Sequence, residues 1–360
     1  EAARAEITGA TKKPTGIYRL LKFVLRHVWL KPARLRAAFT LARLLRDSGL
    51  PRLLLKTNIP RELSPQFQFA LALLNASRDS GRRTSEAENG AGRMPANPDK
   101  VGNAGAPVAL FEGCVTEGLF ARVNRATARV LEANGCETNA PHAQVCCGAL
   151  HAHAGDLEGA RELARQNIEA FESGSNGVHP PSIVTNAGGC GAMLVSYAHL
   201  LADDPKYAER AKQFSARVRD IGQQLETIGF RNGANIGYER TTYDASCHLL
   251  HGQRAADSSL QMLWAIPDLK FAHLNGSEVC CGGAGVYNLL EPELSRAVLD
   301  EKLKHINESG AEVLTTGNPG CHMQIAAGAK LSGMNLRVCH PVELLDESYA
   351  RAGFYNTNQK

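Results

Sequence analysis

The feature that most constrains this chain is a duplicated set of cysteines. Residues 142–150 read HAQVCCGAL and residues 276–284 read GSEVCCGGA, so an adjacent pair occurs twice, each time after Val and before Gly. Single cysteines flank each pair: Cys114 and Cys190 around Cys146-Cys147, then Cys247 and Cys321 around Cys280-Cys281. Matching positions are separated by 133, 134 and 131 residues, and a repeat that long is a pair of domains rather than a solenoid unit. Only Cys136 and Cys339 fall outside the register, and we read them as ordinary buried thiols.

The segments around the cysteines repeat as well. PVALFEGC reads as a strand running into Cys114, followed by a helix over NRATARVLEANG that ends at Gly135. SIVTNAGGC, TTYDASC and AEVLTTGNPGC are likewise strands ending at Cys190, Cys247 and Cys321, each ahead of a helical stretch. DLEGARELARQNIEAF and EPELSRAVLDEKLKHI are matching helices behind the two pairs. Strands alternating with helices predict α/β layers on mainly parallel sheets. The expected fold is therefore α/β: two tandem duplicated cysteine-rich (CCG) domains, residues 107–235 and 236–360. A basic helical segment (1–74) and a flexible linker (75–106) precede them.

Residues 16–56 carry apolar side chains every three to four positions with Arg and Lys between them, and Pro32 divides the stretch into two helices. From Lys12 to Lys56 there are twelve basic residues and one acid, Asp47. Such a stretch suits an anionic membrane surface, an acidic partner, or a helical hairpin packed on the protein with a solvated basic face. Residues 75–106, rich in Gly, Ser, Asn, Pro and charge, predict a mobile connection. No apolar run of about eighteen residues predicts a membrane-crossing helix, and no secretory signal pattern is present. The chain starts at Glu1 rather than Met, which leads us to expect a processed or truncated start with an upstream domain missing.

Clustered cysteines without a secretory signal point to metal or redox chemistry in a reducing compartment. Ligands of an open α/β sheet gather at the carboxyl ends of strands, where Cys114 and Cys190 are expected to share a crevice. Neighbouring side chains of an extended chain point to opposite faces. Both members of a pair reach one small inorganic core only if the backbone turns sharply, and Gly148 and Gly282 accept the positive φ this requires. The turns GGC at 188–190 and NPGC at 318–321 offer backbone N–H groups that stabilise anionic thiolates and tune a reduction potential. Four thiolates also suit tetrahedral zinc, and a vicinal disulfide, purely structural cysteines or a cysteine nucleophile are further readings. His142, His151, His153, His248, His251 and His322 lie near the cysteines as tuning or ligating candidates, or as ordinary hydrogen-bonded side chains. Neither a dinucleotide fingerprint nor a phosphate-binding loop is present.

EGCVTEGLFARVNRATARVL, CCGALHAH, NAGGCGAML, CCGGAGVYNLL and GNPGCHMQIAAG resemble segments of the CCG iron–sulfur oxidoreductases. That family includes glycolate oxidase iron–sulfur subunits, which these segments look most like, lactate-utilisation iron–sulfur proteins and the cysteine-rich component of heterodisulfide reductase. The resemblance covers residues 16–350. It departs from the heterodisulfide type, whose modules end in CxxC, because Cys190-Gly-Ala-Met193 and Cys321-His-Met-Gln324 supply no fifth cysteine. Nor does any cysteine precede Cys114, where the glycolate oxidase type carries a ferredoxin-like domain.

The resemblance implies an iron–sulfur electron-transfer subunit of a flavin-dependent 2-hydroxy-acid (glycolate) dehydrogenase complex, passing electrons from a flavoprotein subunit toward a membrane acceptor. Cys114, Cys146, Cys147 and Cys190 would bind one cluster of the 4Fe–4S type and Cys247, Cys280, Cys281 and Cys321 another, with zinc in one half an alternative. No nucleic-acid partner is expected. The implied location is cytoplasmic, with peripheral contact at the inner face of the membrane through residues 16–56 left open. A thiol or disulfide reductase of the heterodisulfide type, a lactate-utilisation iron–sulfur protein and a structural zinc scaffold are the competing functions.

Overall fold

Short strands, most of them buried and followed within a few residues by a helix, organise the computed structural model of this protein, which describes residues 16–78, 106–172, 180–237 and 239–355. The N-terminal segment contributes α1 (Gly16–Val24), which runs into a wider π-helical turn over Leu25–Trp29, then α2 (Pro32–Asp47), α3 (Leu50–Leu54), α4 (Ile59–Leu63) and α5 (Pro65–Ala76). Prolines at the start of α2 to α5 fix where these helices begin, since a missing N–H costs nothing in a first turn.

The first half comprises β1 (Ala106–Phe111), α6 (Cys114–Ala133), β2 (Cys136–Asn139), α7 (Ala149–His153), α8 (Leu157–Glu172), β3 (Ser182–Thr185), α9 (Gly188–Val195), α10 (Tyr197–Leu200), α11 (Ala208–Ala216), β4 (Val218–Asp220) and α12 (Ile221–Ile228). All four strands are parallel, in the order β2-β1-β3-β4. The second half repeats this with β5 (Thr241–Asp244), a π-helical turn over His248–Gln253, α13 (Ala256–Trp264), α14 (Tyr287–Leu290), α15 (Pro292–Ser309), β6 (Val313–Thr316), α16 (Pro319–Leu331), β7 (Arg337–Cys339) and α17 (Pro341–Arg351). Its parallel order is β5-β6-β7. A lone parallel bridge between Thr241 and Phe271 stands where β2 lies in the first half. The matched strands keep side chains buried on both faces, as parallel sheets between helices do: every residue of β5 and β6 is buried.

The two halves are not separate beads. Helix α17 of the second half packs on α6 of the first, and α12 of the first packs on α13 of the second. Val108, Leu110 and Val184 share one apolar cluster with Tyr243, Val313 and Val342, so a single core spans both sheets. Arg122–Glu343 (2.7 Å) and Arg129–Asp346 (2.6 Å) pair across the α6–α17 seam.

The N-terminal segment straps over both halves. Leu25 is buried against Ala154 of the first half and Val286 of the second, and α5 packs on α16. Arg26 reaches Asp156 at 2.9 Å and the Tyr18 hydroxyl donates to the Ala154 carbonyl at 2.8 Å. Phe39 lies over α6 at Gly118, where a β-carbon would meet the ring at 2.5 Å. Among the described residues no helix is long and apolar enough to cross a membrane.

Three details differ from the reading of the sequence. A first helical piece from Cys114, entered through Gly113 (φ 68°), precedes the expected helix, and a kink at Phe120 (φ −127°, ψ 33°) joins the two within α6. GGC and NPGC are first helical turns rather than free turns, with Cys190 and Cys321 each the third residue of its helix. Within the first residues of the stretch expected to be a connection, α5 runs to Ala76 and buried Ser77 bonds to Arg46 and Arg122. The rest of that expected linker, residues 79–105, lies outside the described residues.

Candidate metal centres

Each single cysteine stands just beyond the carboxyl end of a strand: Cys114 after β1, Cys190 after β3, Cys247 after β5 and Cys321 after β6. Strands β1 and β3 are neighbours, as are β5 and β6, so each half brings two helix starts together. The paired cysteines arrive on a loop that Gly148 (φ 89°) and Gly282 (φ 84°) turn back under α8 and α15, in the left-handed region glycine tolerates.

All eight predicted residues meet in two groups. In the first half the Cys114 and Cys146 sulfurs lie 3.2 Å apart and those of Cys147 and Cys190 3.4 Å apart, while Cys146 and Cys147 bear on each other. In the second the Cys281 and Cys321 sulfurs are 3.2 Å apart, and Cys280 contacts both Cys247 and Cys281. Cys146, Cys147, Cys281 and Cys321 are buried and the other four half-buried. The sulfurs meet in pairs, and among the described residues no three Cys, His, Asp or Glu side chains are already spaced to hold a single metal ion.

Shared protons and burial govern these thiols. Hydrogen bonding to Cys146 and then burial hold the Cys114 thiol well above its ordinary range. Cys281 is raised by Cys280 and Cys321 and by burial. Cys280 goes the other way, its thiolate favoured by the Cys247 and Cys281 thiols, the Gly282 N–H at 3.3 Å and the Lys302 ammonium.

The donor set fits an anionic, sulfur-bound inorganic group. Besides four thiols per half, N–H donors point at sulfur: Val115 toward Cys114, Gly148 toward Cys146, Gly282 toward Cys280, and the Asn318 amide toward Cys321 at 3.3 Å. The buried indole N–H of Trp29 has no partner within hydrogen-bond distance and lies by Cys114, whose thiol it pulls down against burial. The place of a fifth cysteine is filled by buried Met193 in the first half. In the second it is Gln324, whose amide donates to Ser295 as that hydroxyl donates to the Gly282 carbonyl.

Behind each pair a buried polar side chain braces the loop. Asn167 of α8 accepts from Val145 N–H and donates to the Cys146 carbonyl, and the Tyr197 hydroxyl donates to the Cys147 carbonyl at 2.8 Å. Lys302 of α15 does the corresponding work, with its ammonium on Asp244 (2.8 Å) and the carbonyls of Gly276 (2.7 Å) and Ser277 (3.1 Å). The sequence reading missed Trp29, Asn167, Tyr197, Asp244, Lys302 and Asn318. Two of them left a trace: Lys302 as a charged residue on the apolar stripe of its helix, and Asn318 as the first residue of the NPGC turn.

The histidines divide. His151 is buried with Nδ1 3.0 Å from Asp156, and its Nε2 has no partner. His248 Nδ1 stands 3.8 Å from the Cys247 sulfur, and its ring meets that of His153 across the halves at 5.3 Å. His322 packs on Phe120, with burial lowering its pKa well below the usual range, while His142 and His251 are exposed. Cys136 and Cys339, on β2 and β7, are buried thiols pushed up to about 11 and about 12 by burial.

A duplicated parallel sheet with four thiols at the strand ends of each copy defines a tandem cysteine-rich-domain protein. The CCG family, described as a cysteine-rich domain, matches residues 108–195 and 241–326. The chain is 33% identical over 356 residues, 97% of its length and 77% of the relative's, to the probable glycolate oxidase iron-sulfur subunit of Bacillus subtilis. It is 32% identical over 240 residues to lactate utilization protein A of Oceanobacillus iheyensis, and 29% over 240 residues to that of Bacillus subtilis. These alignments cover 66% of this chain and 96% and 98% of the relatives. The chain thus belongs to the cysteine-rich oxidoreductase-subunit family that contains the glycolate oxidase iron–sulfur subunits and the lactate utilization proteins A.

Proposed function

We propose that this chain is an iron–sulfur electron-transfer subunit of a flavin-dependent 2-hydroxy-acid dehydrogenase complex, with glycolate as the substrate oxidised on a flavoprotein partner. The observation that carries this reading is the gathering of eight thiols into two quartets at equivalent strand ends. Cys114, Cys146, Cys147 and Cys190 would hold one cluster, and Cys247, Cys280, Cys281 and Cys321 a second, each of the 4Fe–4S type. Such a cluster supplies one-electron storage. The chain's own part is to keep the sulfurs together, to surround them with N–H donors, and to shield the four buried cysteines from water.

Residues 16–56 supply the docking face in this reading, on the partner or on the inner face of a cytoplasmic membrane that holds the electron acceptor. Of sixteen large apolar side chains exposed among the described residues, eight lie between Ile17 and Leu53. Exposed Arg19, Lys22, Arg34, Arg36, Arg52 and Lys56 interleave with them. A second reading, favoured by the lactate utilization relatives, is lactate as the partner's substrate. Glycolate is preferred because an alignment over 356 residues includes the N-terminal strap, which one of 240 residues cannot do together with all of the rest.

The test is anaerobic co-purification with the flavoprotein subunit, iron and sulfide analysis, and EPR after adding glycolate or lactate. Iron, sulfide and a signal that appears with glycolate support the proposal, and a signal with lactate alone transfers it to the second reading. Stoichiometric zinc without iron or sulfide would overturn both.

A further inference from the structure

The two quartets are joined by one side chain. Asn318 precedes α16 and its amide faces both ways. Its oxygen accepts from the Gly189 N–H at 3.2 Å, one residue before Cys190 of the first quartet. Its nitrogen donates to the sulfur of Cys321 in the second at 3.3 Å. Beside it the Gly188 N–H donates to the Gly317 carbonyl at 2.9 Å, so the two cysteine-bearing helix starts are stitched back to back. The packing is close, because a β-carbon at Gly189 would meet the Asn318 oxygen at 3.2 Å.

The duplication is broken here. Helix α9 is preceded by Ala187 and α16 by Asn318, and Cys190 and Cys321 are each the third residue of their helix. Ala187 therefore occupies the position of Asn318 and has no polar atom to offer. A neutral N–H donor on a ligand sulfur stabilises the electron-rich state of a sulfur-bound centre and raises its reduction potential. We infer that Asn318 is a positioning residue that raises the potential of the centre held by Cys247, Cys280, Cys281 and Cys321, while fixing that centre to the Cys190 turn of the other. The inference rests on the iron–sulfur reading for its electronic half and on protein contacts alone for its geometric half.

The two halves separate experimentally in the full chain. Asn318→Asp keeps the oxygen that accepts from Gly189 and removes the donor to Cys321, whereas Asn318→Ala removes both. Hydrogen exchange at the Gly189 amide, read by mass spectrometry or NMR on metal-free protein, is expected to quicken in Asn318→Ala and stay slow in Asn318→Asp. In an EPR-monitored redox titration of the reconstituted protein, both variants should lower the midpoint of one centre and leave the other in place. Unchanged exchange in Asn318→Ala removes the link. Altered exchange with unchanged midpoints overturns the tuning role. A wild-type chain that assembles no iron–sulfur centre defeats the functional reading instead, and the exchange result still decides the link.

Discussion

Asp220 and His340 hold equivalent places in the two halves, Asp220 as the last residue of β4 and His340 as the residue just after β7, each capping the helix that crosses to the other half. Asp220 accepts from the Gly222 N–H at 2.9 Å and His340 Nδ1 from the Val342 N–H at 3.0 Å. Gln223 and Glu343 answer from three residues on, completing a capping box at both sites. Both side chains are buried and their ionisation is suppressed in opposite senses. Burial raises Asp220 to about 7 and lowers His340 to about 3.

The two therefore bend the pH dependence of stability in opposite directions. An acid whose folded pKa is raised contributes fully below its unfolded pKa and loses that contribution as pH climbs toward 7. A base whose folded pKa is lowered contributes fully above about 6.5 and loses it as pH falls toward 3. In the wild type the two trends largely offset between pH 4 and 6.5. Asp220→Asn should gain stability relative to wild type from pH 4 to pH 7, and His340→Gln should gain from pH 6.5 down to pH 3, each by up to ~4 kcal/mol. Urea denaturation at three pH values measures this, and curves parallel to wild type would refute it.

Lys302 and Asn167 brace the two paired-cysteine loops by different means, one with a buried charge and one with a neutral amide. Lys302→Ala leaves Asp244 buried and unpaired and should cost about 3–5 kcal/mol. Asn167→Ala leaves the Val145 N–H and Cys146 carbonyl unsatisfied and should cost about 1–3 kcal/mol. Chemical denaturation at neutral pH orders the two, and equal losses would mean the ion pair adds nothing beyond an ordinary buried contact.

Gly148 and Gly282 hold matching left-handed conformations with different surroundings. Either Gly→Ala change carries about 1–2 kcal/mol of backbone strain. At Gly148 the added methyl meets the Ala160 backbone at 3.2 and 3.3 Å, a tight contact, whereas at Gly282 it runs into the Ser295 carbonyl oxygen, a far closer one. Thermal melts should place Gly282→Ala clearly below Gly148→Ala. The opposite order would show that the α15 backbone moves aside more readily than α8.

The cysteine register and the strand–cysteine–helix rhythm were legible because both depend on local patterns: spacing, apolar runs and a glycine that needs positive φ. The two parallel sheets, the matching helices α8 and α15 and the left-handed turns at Gly148 and Gly282 follow from these. Strands β2, β4 and β7 escaped notice because four or three residues are too few to display a strand's alternation. Trp29 could not be assigned to the first sulfur group because about eighty-five residues separate it from Cys114 and nothing local ties them. Asn318 was visible only as a turn residue, since its second bond goes to a backbone amide of the other half. The residues that tailor each sulfur group are fixed by tertiary approach, which a single sequence does not encode at short range.

The crossing of α12 and α17 has a consequence for the chain as an heirloom of duplication. Severing it near residue 235 would yield two pieces that each present a bare apolar flank, the one its sibling's last helix covers now. Each flank is the surface that the other piece covers in the intact chain.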